Sequence, residues 1–312
     1  MSFNVPATFQ TKFQNNIEMV LQQQKAMLMD AVDWQSDASA EKIKIKDLVG
    51  NTGPKRASER HGDTKYNNTP HDGVWLTKPD EAYFAELVDN NDKLGTSIDL
   101  EGTYTMTAAG TINRSIDMAI LAGHYGSIIS GKDGTTTTPF PAGNIIPVTT
   151  GGAAGNQRMN TAKLRAANKL LMQSYVDMSE PRFMVLTAEQ NDDLLTEVPL
   201  TSADFKAVFQ GQASNGIVTG MLGWTFIPLE LANPLLVDEF INIPALSLDG
   251  SGFRKTPFWT KSGIRANFWQ RLRTSIDKMP GKVVSTQVFA GTTVAATRTQ
   301  AGKCGIILNS EA

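Results

Sequence analysis

The stretch TYTMTAAGTINRSIDMAILAG, residues 103–123, decides how this chain folds. Leu100, Tyr104, Ala108, Ile112, Ile116 and Ile120 recur in steps of four, which predicts a helix over about 99–124. Each step drifts roughly 40° around a helix of about 3.6 residues per turn, so the apolar stripe winds. A winding stripe has to be covered on more than one side. Gly123 and Gly126 mark the end of the helix.

Upstream, Lys42-Ile43-Lys44-Ile45-Lys46 alternates strictly and reads as a half-exposed strand, with Val74-Trp75-Leu76 as a second. Between them, residues 50–73 read GNTGPKRASERHGDTKYNNTPHDG, where Ala57 and Tyr66 are the only apolar side chains. Such a segment cannot bury enough surface to offset its own ordering entropy. A two-stranded arm with this tip is marginal alone, so it is either disordered or held by another chain. Residues 7–30 carry a thin stripe of Phe9, Phe13, Ile17, Val20, Leu21 and Leu28, which predicts an amphipathic helix. Isolated helices are marginal in water, so it must dock, on its own domain or on a neighbour.

Downstream, Pro79 and Asp80 open a predicted helical stretch, EAYFAELVDNND. Residues 130–157 form a Gly/Thr/Pro loop. Leu164, Ala167, Leu171, Tyr175 and Met178 then space a helix, with Asn160 as its N-cap. Arg182–Leu186 is a buried strand, Ala188–Leu195 a short helix, Phe205–Gly223 a loop region and Trp224–Ile227 a strand. The segment FWQRLR precedes two or three closing strands, VVSTQVFAGTTVAATR and CGIILN. The fold class is α+β.

The chain has 312 residues, room for one large or two modest domains, and 41% hydrophobic residues build a real core. Charged residues are 19%, below the usual ~25%, which favours strands, turns and partner contacts over a heavily solvated surface. The net charge is −2, with 29 basic and 31 acidic residues, so no basic excess marks a dedicated nucleic-acid binder. A single cysteine, Cys304, excludes an intrachain disulfide and reads as a small apolar filler in a buried strand. The N-terminus lacks a signal-peptide pattern, and no apolar run approaches the ~18 residues of a membrane span.

Gly126-Ser127-Ile128-Ile129-Ser130-Gly131-Lys132 has the spacing of a phosphate-binding loop. Asp133 stands where a hydroxyl is required, a helix precedes and TTTTPFP follows, so it reads as a helix-ending loop. His61, His71 and His124 lack metal-ligand spacing. His61 and His71 are expected in solvent or at an interface, and His124 at a helix end, interacting with the helix dipole. No nucleophile elbow or Cys/His pairing is present, and Asp192-Asp193 reads as a solvated face. No catalytic residue, cofactor or metal is assigned.

The order of these parts resembles the major capsid proteins of tailed bacteriophages of the Hong Kong 97 type. The resemblance runs from about residue 40 onward. It is carried by the second strand leading into LVDNND, by Arg114-Ser115-Ile116-Asp117 in the long helix, and by the closing ATR…CGIIL. It implies an N-terminal arm (1–40) and an extended loop (41–80) reaching over a neighbour. It further implies a peripheral domain (81–155 and 266–300) with the long helix as spine, and an axial domain (156–265 and 301–312). Phe9, Phe13, Lys44, Lys55, Arg56, Arg60, Asp63, Lys65 and Trp75 are the expected inter-subunit contacts.

By the same resemblance the chain is expected to assemble with itself as pentamers and hexamers into an icosahedral head shell. The shell encloses double-stranded DNA without sequence-specific binding. The expected location is the virion, after assembly in the bacterial host cytoplasm, with no membrane. The expected partners are a portal protein and a separate scaffolding protein, since the first 40 residues are too few for the cleaved scaffolding extension of some relatives. A decoration protein is left open. Some relatives form Lys–Asn cross-links; Lys55 or Lys65 with Asn309 would be the pair here, without an assignable acidic catalyst. The alternatives are a cellular encapsulating compartment that holds cargo enzymes, and a nucleotide-dependent enzyme using the 126–133 loop.

Overall fold

The structure, a computed structural model, describes residues 23, 25–35, 39–56, 60, 63–89, 100–152, 155–197, 213–214, 216–231, 243, 248–282 and 285–311. Three α-helices are described: α1 (Leu100–Tyr125), α2 (Thr161–Gln173) and α3 (Ala188–Glu197). The strands begin with β1 (Asp33–Trp34), β2 (Lys42–Val49), β3 (His71–Thr77), β4 (Ala82–Val88), β5 (Ile128–Ser130), β6 (Thr136–Thr138), β7 (Ile145–Ile146) and β8 (Arg182–Leu186). They continue with β9 (Ala213–Ser214), β10 (Ile217–Val218), β11 (Gly220–Met221), β12 (Trp224–Pro228), β13 (Phe253–Thr260), β14 (Ile264–Met279), β15 (Ser285–Arg298) and β16 (Cys304–Ser310).

These strands form four sheets, ordered β1-β14-β15-β4, β11-β12-β8-β13-β16-β7, β2-β3-β5-β6 and the pair β10-β9. The spine helix α1 lies along β15 and β4. Its winding stripe is covered on more than one side, as the spacing requires. Ile116, Ile120 and Leu121 join β14 and β15 residues and Leu28, Ala31 and Val32 from the chain's beginning in one core. Ala108 and Ile112 meet Ala290 and Phe84 in another. Gly123 permits the closest approach, because a Cβ there would collide with the Ala296 backbone of β15. α1 runs through Gly123 and stops at Gly126.

A separate core lies between the six-stranded sheet and α2 and α3, where Leu164, Ala167, Leu171 and Leu194 pack on Met184, Phe226, Phe258 and Ile307. Asn160 caps α2 as its position predicts, its side chain accepting from Lys163 N at 2.9 Å. Lys163 itself is wholly buried. Its ammonium donates to Gln157 O, Leu308 O and Asn309 Oδ1 at 2.7, 2.8 and 2.9 Å, fastening α2 to β16. Burial pulls its pKa down to about 8, with Asp193 opposing.

Several sequence expectations are corrected here. The stretch after Asp80 is a strand rather than a helix: β4 pairs along its full length with β15, from Ala82↔Thr292 to Val88↔Thr286. Ala, Glu and Leu favour helices, but long-range pairing and Phe84 packing on α1 override that weak preference. The 130–157 loop contains β6 and β7, and FWQRLR lies inside β14. The predicted helix over 7–30 lies mostly outside the described residues; where described, its end is a short 3-10 turn at Met29–Ala31. His124 is no helix-end cation. It is fully buried among Phe140, Trp259 and Tyr125, and desolvation, with Arg298 close by, lowers its pKa to about 3. Asp193 is turned inward, accepting from Met159 N at 3.2 Å and pairing with Arg158.

Candidate assembly interface

Two parts of the chain that the sequence marks for contact with neighbours are fastened to the body of the subunit. The first is the beginning of the chain. Asp117, in the middle of α1, accepts from Met27 N and Leu28 N, both at 2.9 Å, and from the Gln23 side chain. Arg114, one helical turn earlier, donates to Gln23 O at 2.9 Å. Burial raises the Asp117 pKa, and the two backbone N–H groups and Gln23 oppose that rise. Further along, Trp259 Nε1 donates to Ala31 O at 2.9 Å, Arg265 pairs with Asp33, and Trp34 stacks on Phe268 at 4.5 Å. Residues 27–34 are thus fixed to their own subunit. Phe9 and Phe13 lie outside the described residues.

The second segment is the β2–β3 hairpin. Its strands pair antiparallel from Lys42↔Thr77 to Val49↔His71, with an irregularity between Lys44 and Lys46. Its root is clamped by the turn between β5 and β6. Trp75 Nε1 donates to Gly131 O at 2.8 Å, Asp72 Oδ1 accepts from Gly131 N at 2.7 Å, and Lys42 Nζ donates to Gly134 O at 2.8 Å. Gly134 is left-handed at φ 64, and the Trp75 ring lies where its Cβ would be. Lys44 pairs with Asp47 and lies over the Trp75 ring at 5.9 Å. The indole of Trp75 and the amino group of Lys44 thus each have a partner within their own subunit.

Beyond the root the hairpin has almost no support. Gly50 N donates to Pro70 O at 2.8 Å, Asn67 to Gly53 O at 3.2 Å, and Lys55 to Tyr66 O. Every side chain over 51–56 and 63–68 is exposed, Tyr66 at 84%. Lys55, Arg56, Arg60, Asp63 and Lys65 all sit on this tip, each in solvent.

The phosphate-loop spacing has a structural explanation. Ile128–Ser130 is strand β5, and the Gly131 N–H and carbonyl are taken by Asp72 and Trp75. The backbone groups that would cradle a phosphate hold the hairpin instead. Asn309 is likewise unsuited to a cross-link with a loop lysine: it is buried, accepting from Lys163 and donating to Thr256 at 2.8 Å. Cys304 is buried, and desolvation pushes its thiol up to about 12. Among the described residues no cluster of His, Cys, Asp and Glu could hold a metal, and no helix is long and apolar enough to cross a membrane.

A family model described as phage capsid protein matches residues 5–311. The chain belongs to that family. This capsid protein also shares its fold with solved phage shells. The capsid of cyanophage P-SCSP1u matches with a TM-score of 0.70 at 12% identity, over 96% of this chain and 92% of that one. That of cyanophage Pam1 matches at 0.66 and 12% identity over 100% of both chains. The acid-stable capsid of Helicobacter pylori bacteriophage KHP30 matches at 0.65 and 12%, over 99% and 98%. No curated protein sequence matches. The fold is the α+β fold of the Hong Kong 97 type, and the capsid protein is a structural component of a phage virion that associates with itself into a shell. The Arg114–Asp117 spacing was visible in the sequence, but its role in holding the first segment was not, because the partner residues lie about 90 positions away.

Proposed function

We propose that this capsid protein assembles as pentamers and hexamers into a closed icosahedral head that encloses the double-stranded DNA of a tailed phage. The observation that carries this reading is the hairpin tip, whose described residues 51–56, 60 and 63–68 are all exposed beyond a firm root. A segment without an apolar partner is ordered at low cost only when a neighbour supplies one. On this reading residues 1–40 are the arm and 41–80 the extended loop. Residues 81–155 with 266–300 form the peripheral domain, and 156–265 with 301–312 the axial domain. The tip residues Lys55, Arg56, Arg60, Asp63 and Lys65 make the inter-subunit contacts, with Phe9 and Phe13 docking the arm.

A net charge of −2 suits a wall that contains DNA without reading its sequence. The partners are a portal protein and a separate scaffolding protein, and assembly takes place in the bacterial cytoplasm. The test is sedimentation and electron microscopy of the particles formed when the chain is produced with its scaffolding and portal proteins. Closed shells with five- and six-fold capsomers and enclosed DNA are expected. A monodisperse 33.9 kDa species, or shells holding an enzyme instead of DNA, would overturn the proposal.

A further inference from the structure

The end of α2 holds backbone conformations that disfavour the residues found there. The helix closes in a Schellman motif: Tyr175 N donates to Met172 O at 3.0 Å and Val176 N to Leu171 O at 3.1 Å, with Leu171 and Val176 buried beneath. The left-handed position of this motif usually takes glycine. Here it is Tyr175, at φ 56, with its side chain 97% exposed. The β11–β12 turn, Leu222-Gly223, is left-handed at both residues, φ 51 and 81, an arrangement that favours Asn-Gly. Its first position is Leu222, 45% exposed.

Among the described residues, Tyr175 and Leu222 are the only non-glycine residues with positive φ. Both adjoin α2: Tyr175 follows its C-cap Ser174, and Leu222 is hydrogen-bonded to the helix. Asn168 on α2 donates to Leu222 O at 3.1 Å. Met172, 61% exposed, lies one turn further along α2, and Tyr175 follows three residues later. Within the subunit each feature is unfavourable twice, once in the backbone and once in the hydration of an apolar side chain.

The charges beside the patch indicate what covers it. α2 contains no acidic residue, and its exposed Arg165 and Lys169 have no acidic partner among the described residues. α3 contains no basic residue and exposes two carboxylates, Glu189, which pairs with Arg158 of its own subunit at 2.9 Å, and Asp192, which has no cationic partner among the described residues. One chain thus carries both halves of a complementary pair, as a head-to-tail contact between identical copies requires.

We infer that Met172, Tyr175 and Leu222, flanked by Arg165 and Lys169, dock a second copy of this chain through the acidic face of its α3. The inference rests on the shell reading and narrows it to one contact within a ring of subunits.

Two variants test it against a purely structural role. Tyr175→Gly and Leu222→Asn each suit the backbone better than the native residue. Each should raise the melting temperature of the unassembled full-length chain by roughly 2–4 °C and lower particle yield at least about fivefold, since a weakened contact recurs in every subunit. Arg165→Glu with Lys169→Glu, and Asp192→Lys, which spares the Arg158–Glu189 pair, should each lower the yield, and the three together should restore it. Wild-type yield from Tyr175→Gly and Leu222→Asn, or a lower melting temperature in both, overturns the inference and leaves the shell reading intact. Failure of the combined charge exchange to restore yield also overturns it, since the occupant is then not α3 of a second copy. If the native chain forms no particles at all, the shell reading falls and this inference with it.

Discussion

His124 shows how far a single residue can depart from what its position in the chain suggests. At a helix end a histidine is expected to be a partial cation, but burial beside Arg298 holds it neutral. A folded pKa of about 3 against an ordinary 6.5 has a definite sign: the unfolded chain binds a proton that the folded one refuses. The stability this neutral group allows is present above pH 6.5 and is lost as pH falls towards about 3. The unassembled chain should therefore lose stability as pH falls across that window. His124→Leu should flatten the denaturant-midpoint profile relative to the native chain; parallel profiles would show that the ring is not the titrating group. Asp117 is a second case. Asp117→Ala leaves the Met27 and Leu28 N–H groups without their acceptor. It should cost roughly 1–3 kcal/mol, and trypsin should cut faster at the exposed Lys25.

At the level of elements, the β2–β3 hairpin separates into a root bonded to the body of the subunit and a tip whose residues 51–56 and 63–68 are all exposed. Replacing residues 52–69 with a short Gly/Ser turn spares Asp72, which holds the β5–β6 turn. The tip shows no buried side chain between Asn51 and Arg56 or between Asp63 and Asn68, so the body should melt within about 2 °C of the native chain. Particle yield on a gradient should fall sharply, because charge pairs across an interface set register and partner choice, and many weak copies add up in a closed shell. If the replacement unfolds the subunit while surviving material still forms normal particles, the hairpin is an intrachain element. β4 teaches the converse. Its composition favours helix, yet a neighbouring strand about 200 positions away decides its conformation, and no local pattern carries that information.

For the whole molecule, the relevant stability is that of the assembly. Neighbours bind the folded subunit and not the unfolded chain, so assembly adds to stability by mass action. Particles should melt at a higher temperature than unassembled chain in the same buffer, and the difference should shrink for the loop replacement. Equal melting of the two forms, followed by calorimetry, would mean that shell contacts add nothing to the fold.

What the sequence determined alone was the set of quantities that depend on near neighbours and on totals. The four-residue steps of α1, the Asn160 cap, the alternation of β2 and the apolar poverty of 50–73 are all local, and each emerged in the structure at its predicted place. The order of these parts sufficed to place the chain among phage capsids. Only the tertiary structure decided that Asp117 grips Met27 and Leu28, that Trp75 and Lys44 each have a partner within their own subunit, and that β4 is a strand. It alone revealed that the Leu222 turn is bonded to Asn168 of the helix that ends just before Tyr175. These facts are set by pairings between distant segments, whose free energy comes from burial and backbone hydrogen bonds made only when the chain has closed on itself.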